Sequence, residues 1–113
     1  MHEYSIVASL VERVQRELDA HPGAIARRIH VRIGESAGVE VELLRTAYDT
    51  FRPRSACERA EISIATVATE WRCRVCDRVI PPGSVLRCCD TPARLAAGDD
   101  ILLERIEMEV PDV

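Results

Sequence analysis

Hydrophobic residues recur at helical spacing in two stretches of the chain. Between positions 4 and about 20, apolar side chains repeat every three or four residues, and charged residues fill the opposite face. The "HPG" at 21–23 is a typical helix stop. Apolar residues recur again from Val39 to Phe51, and Pro53 ends that stretch. This spacing predicts two amphipathic helices, with Ser36 as the expected N-cap of the second.

Three other segments alternate between apolar and polar residues. They are "RIHVRIG" at 28–34, "EISIATV" at 61–67 and "ILLERIEMEV" at 101–110. A period of two indicates half-buried strands. In the last segment the expected buried face holds Leu102, Ile106, Met108 and Val110. With the helices, this pattern predicts an α+β fold in which two helices pack on a three-stranded sheet.

The segment from Trp71 to Leu95 differs in composition from the rest of the chain. It holds four of the five cysteines and three of the six prolines, and it has little helical or strand periodicity. So long a stretch without a pattern is uncommon inside a compact domain unless something else folds it. The sequence therefore predicts a zinc-ribbon-like module at 71–95, inserted into an α/β domain made of residues 1–70 plus 96–113.

The cysteines of this segment have the spacing of a zinc site. Cys73 and Cys76 form a C-x-x-C pair, and Cys88 and Cys89 follow after a loop. Thiolates suit Zn²⁺, and binding would supply the folding energy that the segment lacks. Adjacent cysteines reach one ion only with an awkward backbone, so Asp90 stays an alternative to Cys89 as the fourth ligand.

Composition and charge restrict the partners. The net charge is −4, which gives no general attraction to nucleic acid or to an anionic membrane and favours a protein or a cation. No apolar run is long enough to span a bilayer, and charged residues from Glu3 onward do not fit a signal peptide. We therefore expect a cytoplasmic protein whose cysteines are reduced, and no contact with nucleic acid or membrane.

The first residues offer a second set of metal donors. Met1 and His2 bring three nitrogens together: the terminal amine, a backbone amide and the imidazole. Glu3 adds an oxygen. Nitrogen-rich planar sets favour Ni(II) or Cu(II) over zinc. A solvated tail is the alternative interpretation of the same residues. His21, in a helix stop, and His30, on the polar face of a strand, are expected to be surface residues.

The whole chain resembles one protein family. The segments "MHEYSIV" at 1–7, "VRIGESAGVEVELLRTAYDT" at 31–50 and "GDDILLERIEMEV" at 98–110 carry the resemblance, together with the C-x-x-C that follows a strand. Their order is similar to that of HypA/HybF proteins, the nickel-incorporation accessory proteins of [NiFe]-hydrogenase maturation.

The resemblance implies a metallochaperone and not an enzyme. It implies nickel held by Met1, His2 and Glu3, and zinc held by paired cysteines in an inserted ribbon. It also implies transfer of nickel, together with the GTPase HypB, to the hydrogenase large subunit. The chain departs from the family pattern at Cys88-Cys89, where C-P-x-C is usual, and at Asp77, where a glycine is usual. Ser36 and Ala37 also differ from the family's turn motif.

Two alternatives belong to other classes of protein. A zinc-ribbon adaptor that binds protein or nucleic acid is supported by four arginines near the cysteines: Arg72, Arg74, Arg78 and Arg87. A thiol oxidoreductase would use Cys73 and Cys76, but their surroundings lack the expected helix start. Cys57 is expected to be a semi-buried structural residue. An exposed edge strand and a long hinge at the insert leave a homodimer, or domain exchange, open.

Overall fold

The computed structural model of the 113-residue chain describes residues 3–111. It contains two helices and eight strands. In chain order these are α1 (Glu3–Asp19), β1 (Ile25–Gly34), α2 (Val41–Phe51), β2 (Glu61–Val67), β3 (Glu70–Arg72), β4 (Val79–Ile80), β5 (Arg87–Cys88), β6 (Thr91–Pro92), β7 (Arg94–Ala97) and β8 (Ile101–Glu109). The predicted α+β class is confirmed, and both helices and all three long strands lie where the periodicity placed them.

The long strands form one sheet in the order β2-β1-β8, which we call the main sheet. β1 runs parallel to β2 and antiparallel to β8, and α2 makes the crossover between the parallel pair. Both helices cover one face of this sheet, because their apolar stripes need burial. The shared core holds Ile6, Val7, Leu10, Val11 and Val14 of α1, Leu44, Ala47 and Tyr48 of α2, and Ile29, Val31 and Ile33 of β1.

The face of the main sheet that lies away from the helices is polar, and we call it the open face. Arg28, His30 and Arg32 of β1 alternate with the buried residues and lie on this face. The His30 ring is within hydrogen-bond distance of the Glu107 carboxylate, and Arg28 donates to the Ser63 hydroxyl over 2.7 Å. The open face is therefore a connected layer of ion pairs and hydrogen bonds.

The expected buried face of the last strand is wrong at both ends. Val110 lies beyond the last residue of β8 and is 54% exposed. Leu102 is 53% exposed, whereas Ile101 and Leu103 pack against the core. The register with β1 shifts between Leu103 and Arg105, which marks a β-bulge at Glu104. A bulge adds one residue and reverses the facing of everything beyond it. A strict period of two, counted back from Ile106, therefore assigned Leu102 to the wrong side.

The expected cap of α2 is also wrong. The N-cap is Glu40, whose side chain makes no capping hydrogen bond. Ser36 lies four residues earlier, where its hydroxyl hydrogen-bonds the Thr69 hydroxyl instead. The turn after β1 is thus longer than the sequence indicated, and its serine contacts the chain that leads to the cysteine-rich segment.

The cysteine-rich segment forms its own small sheets. β3 pairs with β4 and β7, and β5 pairs with β6, all antiparallel. We call residues 70–97, from the start of β3 to the end of β7, the ribbon. The described chain measures 59 × 31 × 16 Å, and its radius of gyration is 17.9 Å. A compact domain of this length would have about 13 Å, so the ribbon projects from the main domain.

Neither helix within residues 3–111 has the length and apolar content required to cross a membrane.

Candidate metal centre

The four ribbon cysteines converge on one point. The sulfurs of Cys73, Cys76, Cys88 and Cys89 all lie within 4.8 Å of one another. The strands bring them together: Cys73 directly follows β3, and Cys88 ends β5. Among the cysteine, histidine and acidic side chains in the described part of the chain, these four cysteines form the group close enough together to hold one metal ion.

The first pair is held by a tight turn that also orients its sulfur. The Cys73 N–H donates to the Arg78 carbonyl and the Asp77 N–H donates to the Cys73 carbonyl, which closes the loop around Cys76. The N–H groups of Val75 and Cys76 point at the Cys73 sulfur, at 3.3 and 3.4 Å. Cys73 is buried, and these two donors satisfy its sulfur in place of water.

The second pair needs an unusual backbone. Cys89 and Asp90 both have left-handed conformations, with φ of 50° and 59°. Such a conformation costs about 1–2 kcal/mol at a non-glycine residue. It turns the chain so that two consecutive side chains face one centre, with 3.8 Å between the Cys88 and Cys89 sulfurs. The awkward backbone expected for adjacent ligands is therefore present.

Asp90 does not belong to the converging group, which contains Cys89 instead. The Asp90 main-chain carbonyl accepts a hydrogen bond of 3.0 Å from the Arg87 guanidinium. This contact holds the turn after β5 in the shape that brings Cys89 inward.

The sulfur spacing fits a tetrahedral ion. Zinc–thiolate bonds of about 2.3 Å place the corners of a regular tetrahedron about 3.8 Å apart. The Cys76–Cys88 and Cys88–Cys89 distances are both 3.8 Å. Four soft sulfur donors in this geometry are typical of structural zinc, because no position is left open for water or substrate.

Three of the four thiols have shifted pKa values, in different directions. Hydrogen bonds from the main-chain N–H groups of Cys76 and Val75 lower the pKa of Cys73 to about 6. The hydrogen bond with Cys73 then raises the pKa of Cys89 to about 12, and that of Cys88 is raised for the same reason. The Cys73 thiol therefore ionises readily, whereas the Cys88 and Cys89 thiols keep their protons. All four become thiolates when a cation neutralises them.

Asp77 has a role that the sequence did not reveal. Its φ of 58° is the left-handed conformation for which glycine is usual, and aspartate tolerates it better than most residues. Its carboxylate accepts a hydrogen bond of 2.7 Å from Arg94 of β7 and lies 3.5 Å from Arg72 of β3. Asp77 thus ties the cysteine turn to both neighbouring strands, which a glycine could not do.

Most of the arginines that supported a nucleic-acid interface are engaged within the ribbon. Arg72 contacts Glu70 and Asp77, Arg74 donates to the Pro92 carbonyl, and Arg87 donates to Asp90. Trp71, the aromatic side chain of the ribbon on which a base could stack, is half-buried in β3. These arginine contacts hold three of the four guanidinium groups against the ribbon itself, and those of Arg72 are to carboxylates.

The expected nickel ligands fall at the edge of the described chain. Met1 and His2 lie outside the described residues. Glu3 is the first residue of α1 and is half-buried. His21 lies exposed in the turn after α1, and His30 lies on the open face beside Glu107. Neither of these two histidines belongs to the group of four converging cysteines.

Cys57, the fifth cysteine, lies in the main core and not among the four converging cysteines. It is fully buried in the main core beside Tyr48, and its burial raises the pKa of its thiol. Cys57 is more deeply buried than the semi-buried residue that was expected, because it lies in the turn between α2 and β2 and packs into the main core.

Fold and site together define an α+β protein with a projecting ribbon built around four converging thiols. A profile of the family described as "Hydrogenase/urease nickel incorporation, metallochaperone, hypA" matches residues 1–108. A hydrogenase maturation factor HypA from Shewanella baltica is 35% identical over 113 residues, which cover 96% of this chain and 97% of that protein. One from Wolinella succinogenes is 33% identical, with 99% and 98% covered.

A solved structure agrees with this assignment. The solution structure of the Ni metallochaperone HypA from Helicobacter pylori superimposes with a TM-score of 0.76 at 28% identity, covering 98% of this chain and all of that one. The chain therefore belongs to the HypA family of nickel-incorporation metallochaperones, as the sequence motifs implied.

Proposed function

We propose that this chain carries Ni(II) to the [NiFe]-hydrogenase active site during its assembly, and that it acts as a carrier without catalysing a reaction. The main support is that the family profile matches from residue 1, so it includes the Met-His-Glu start as well as the ribbon. The close-packed four-sulfur group adds a second kind of metal site to the same chain.

Nickel is the cargo, held by Met1, His2 and Glu3. The terminal amine, the deprotonated amide and the imidazole form the nitrogen-rich set that Ni(II) prefers to tetrahedral sulfur. A site made of three consecutive residues at a chain end encloses little of the ion. It can therefore pass the ion to another protein without unfolding the main domain.

Zinc is the resident ion, held by Cys73, Cys76, Cys88 and Cys89. Its binding folds the inserted module, predicted at 71–95 and observed as strands within 70–97. Residues 1–70 and 96–113 then form the nickel-carrying domain. Keeping four cysteines as metal ligands requires a reducing compartment, which supports the cytoplasm as the location.

The proposed partners are proteins: the GTPase HypB, the hydrogenase large subunit and a second copy of this chain. The arginine contacts within the ribbon argue against nucleic acid as a partner. The net charge of −4 argues against nucleic acid and anionic membrane alike.

The test is a calorimetric Ni(II) titration of tag-free protein with native Met1 and a measured zinc content. We expect one nickel per chain while the zinc is retained. His2→Ala should abolish stoichiometric nickel binding and leave both fold and zinc unchanged. His21→Ala is the matched control, because it removes an exposed histidine just after α1 and should leave nickel binding intact.

Two outcomes would overturn the proposal. Unchanged nickel affinity in His2→Ala would place the cargo site elsewhere. No nickel uptake by zinc-loaded parent protein would favour the zinc-ribbon adaptor, whose exposed apolar residues Val75 and Val85 would then form the binding surface. A similar loss of nickel binding in Glu3→Gln would support Glu3 as the third ligand. Unchanged nickel binding in that variant would reduce the site to Met1 and His2.

A further inference from the structure

β8 is an edge strand bordered by an open groove. It pairs with β1 on one side, and no strand within residues 3–111 pairs with its other side. Between β8 and α1 the groove has a volume of about 420 Å³, lined by residues that include Ile6, Leu10, Ile101 and Leu103. It continues along the strand for about 240 Å³ more, past Ile106 and Met108. Unpaired backbone groups beside an apolar groove can accept another strand.

The bulge gives β8 an unusual distribution of side chains. Before the bulge, Ile101 and Leu103 face the helices. After it, Ile106 and Met108 do so, opposite the buried Ile29 and Ala26 of β1.

The other residues of β8 face the open side. Arg105 lies 3.1 Å from the His30 ring and Glu104 lies 3.9 Å from Arg32, both on the open face. Leu102 is opposite Arg32 and Glu107 is opposite Arg28 on the same face. Two consecutive residues, Glu104 and Arg105, thus share the open face at the middle of the strand.

This distribution makes the strand complementary to itself. In an antiparallel pair, directly opposed residues face the same side. If a two-fold axis passes between Glu104 and Arg105, each helix-facing residue opposes another: Ile101 with Met108, and Leu103 with Ile106. Leu102 opposes Glu107, both on the open face.

In the neighbouring registers, some directly opposed residues would face different sides of the sheet. Moving the axis onto Arg105 would oppose helix-facing Leu103 to open-facing Glu107. Moving it one full residue, to lie between Arg105 and Ile106, would oppose those two residues, which face different sides, and would set Glu104 against Glu107. The register with its axis between Glu104 and Arg105 is the one near the centre of β8 that matches side with side at every pair.

We propose that two copies of this chain dimerise through antiparallel pairing of β8 with β8, about a two-fold axis between Glu104 and Arg105. The two main sheets become one six-stranded sheet. Ile106 and Met108 of each copy extend into the groove beside Ile101 and Leu103 of the other. This inference deepens the proposed function, which includes a second copy among its partners, but its test uses no nickel.

The charges favour β8 of a second copy, over an unrelated strand, as the partner of this edge. On the axis, Glu104 of each copy opposes Arg105 of the other, which makes two opposite-charge pairs. Beyond Ile101 and Met108, Asp100 would oppose Glu109, and these like charges limit the pairing to residues 101–108. An isologous interface of this kind closes after two copies, so it does not propagate into fibres.

The test is sedimentation equilibrium of zinc-loaded full-length protein, with charge reversals at the axis. Glu104→Arg places two arginine–arginine pairs on the axis, and Arg105→Glu places two glutamate–glutamate pairs there. Each should raise the dimer dissociation constant about tenfold or more. The double swap of Glu104→Arg with Arg105→Glu restores both opposite-charge pairs and should return the constant to near the parent value.

Asp49→Arg is the matched control. It changes the net charge by the same amount as Glu104→Arg, and its side chain is 69% exposed in the last turn of α2, away from β8. Dimerisation of this variant should equal that of the parent. In addition, amide hydrogen exchange along β8 should slow as the dimer forms in the parent, but not in either single reversal.

The proposal fails if the parent is monomeric across the accessible concentration range. It also fails if it forms a dimer that the single reversals do not weaken, or one that the double swap does not restore. A dimer of the last two kinds would be assembled through a surface other than the β8 edge. Retained nickel binding with any of these results would leave the proposed function standing.

Discussion

Gly34 and Gly98 touch where the ribbon joins the main sheet. A Cβ placed on Gly34 would lie 2.1 Å from the carbonyl carbon of Gly98. Around this contact, the Gly34 N–H donates to the Asp100 carbonyl, the Glu35 N–H to Val67 and the Ser36 N–H to Gly98. The end of β1 therefore holds both connections to the ribbon, one on each side.

Gly34→Ala should destabilise the protein by about 3 kcal/mol, the upper end of the range for overpacking, because the clash is with backbone. Chemical denaturation of zinc-loaded protein measures it. Gly38→Ala is the control: its φ of 73° is strained for alanine, but a Cβ there meets nothing within 4 Å. It should cost about 1–2 kcal/mol. Equal losses in the two variants would mean that the Gly34–Gly98 contact relaxes easily.

The fourth metal ligand can be identified by paired substitutions. Cys89→Ser should weaken zinc binding by at least an order of magnitude, because a hydroxyl is a poor replacement for a thiolate. Asp90→Asn should leave zinc affinity near that of the parent, because Asp90 lies outside the converging group. Competition with a chromophoric chelator measures both. The reverse ranking would assign the ligand to Asp90.

Removing zinc should unfold the ribbon before the main domain. The ribbon has strands of two to four residues, whereas the helices and long strands share a continuous apolar core. We expect chelation to collapse the amide NMR signals of residues 70–97 toward random-coil positions while those of α1 and β1 keep their dispersion. Simultaneous loss of both sets would show that the two parts fold as one unit.

The ion pairs of the open face predict a pH dependence of stability. The hydrogen bond from His30 lowers the pKa of Glu107 below its ordinary 4.5. A lowered carboxyl pKa stabilises the fold above the unfolded-state value, and this contribution is lost as pH falls through the folded-state pKa. Unfolding free energy measured from pH 6 downward should therefore fall less steeply in Glu107→Gln. Glu12→Gln, on the exposed side of α1, is the control. Identical profiles for Glu107→Gln and the parent would contradict the assignment.

The buried hydroxyl of Tyr48 should contribute modestly to stability. It donates to the Ala60 carbonyl over 2.8 Å, and Arg52 donates to the same oxygen over 2.7 Å. Tyr48→Phe should cost about 1 kcal/mol, because that carbonyl keeps a partner. Tyr4→Phe is the matched control, since Tyr4 is 53% exposed. A loss above about 3 kcal/mol would mean that Arg52 cannot hold the carbonyl alone.

The sequence by itself predicted the two helices, the three long strands and a candidate thiolate metal site. Helical and strand periods are local properties, so the apolar spacing in α1, β1 and β2 predicted those elements. The C-x-x-C pair and the neighbouring Cys88-Cys89 predicted a thiolate zinc site, and the structure brings these four sulfurs within 4.8 Å of one another. Zinc as the bound ion stays a prediction. The motifs around them identified the family, which the whole-chain match confirmed. The nickel ligands Met1, His2 and Glu3 stay a prediction.

Other features could be seen only in the tertiary structure, because they depend on contacts between segments that are distant in the chain. The bulge at Glu104 depends on how β8 lies against β1, and it reversed the facing of Leu102. The contact between Ser36 and Thr69 joins positions 33 residues apart, and Glu40 became the cap of α2 instead. The choice of Cys89 over Asp90 for the thiol cluster depends on how their turn lies against Cys73 and Cys76. Sequence spacing cannot specify these features, because each requires the register or closing distance between segments remote in the chain.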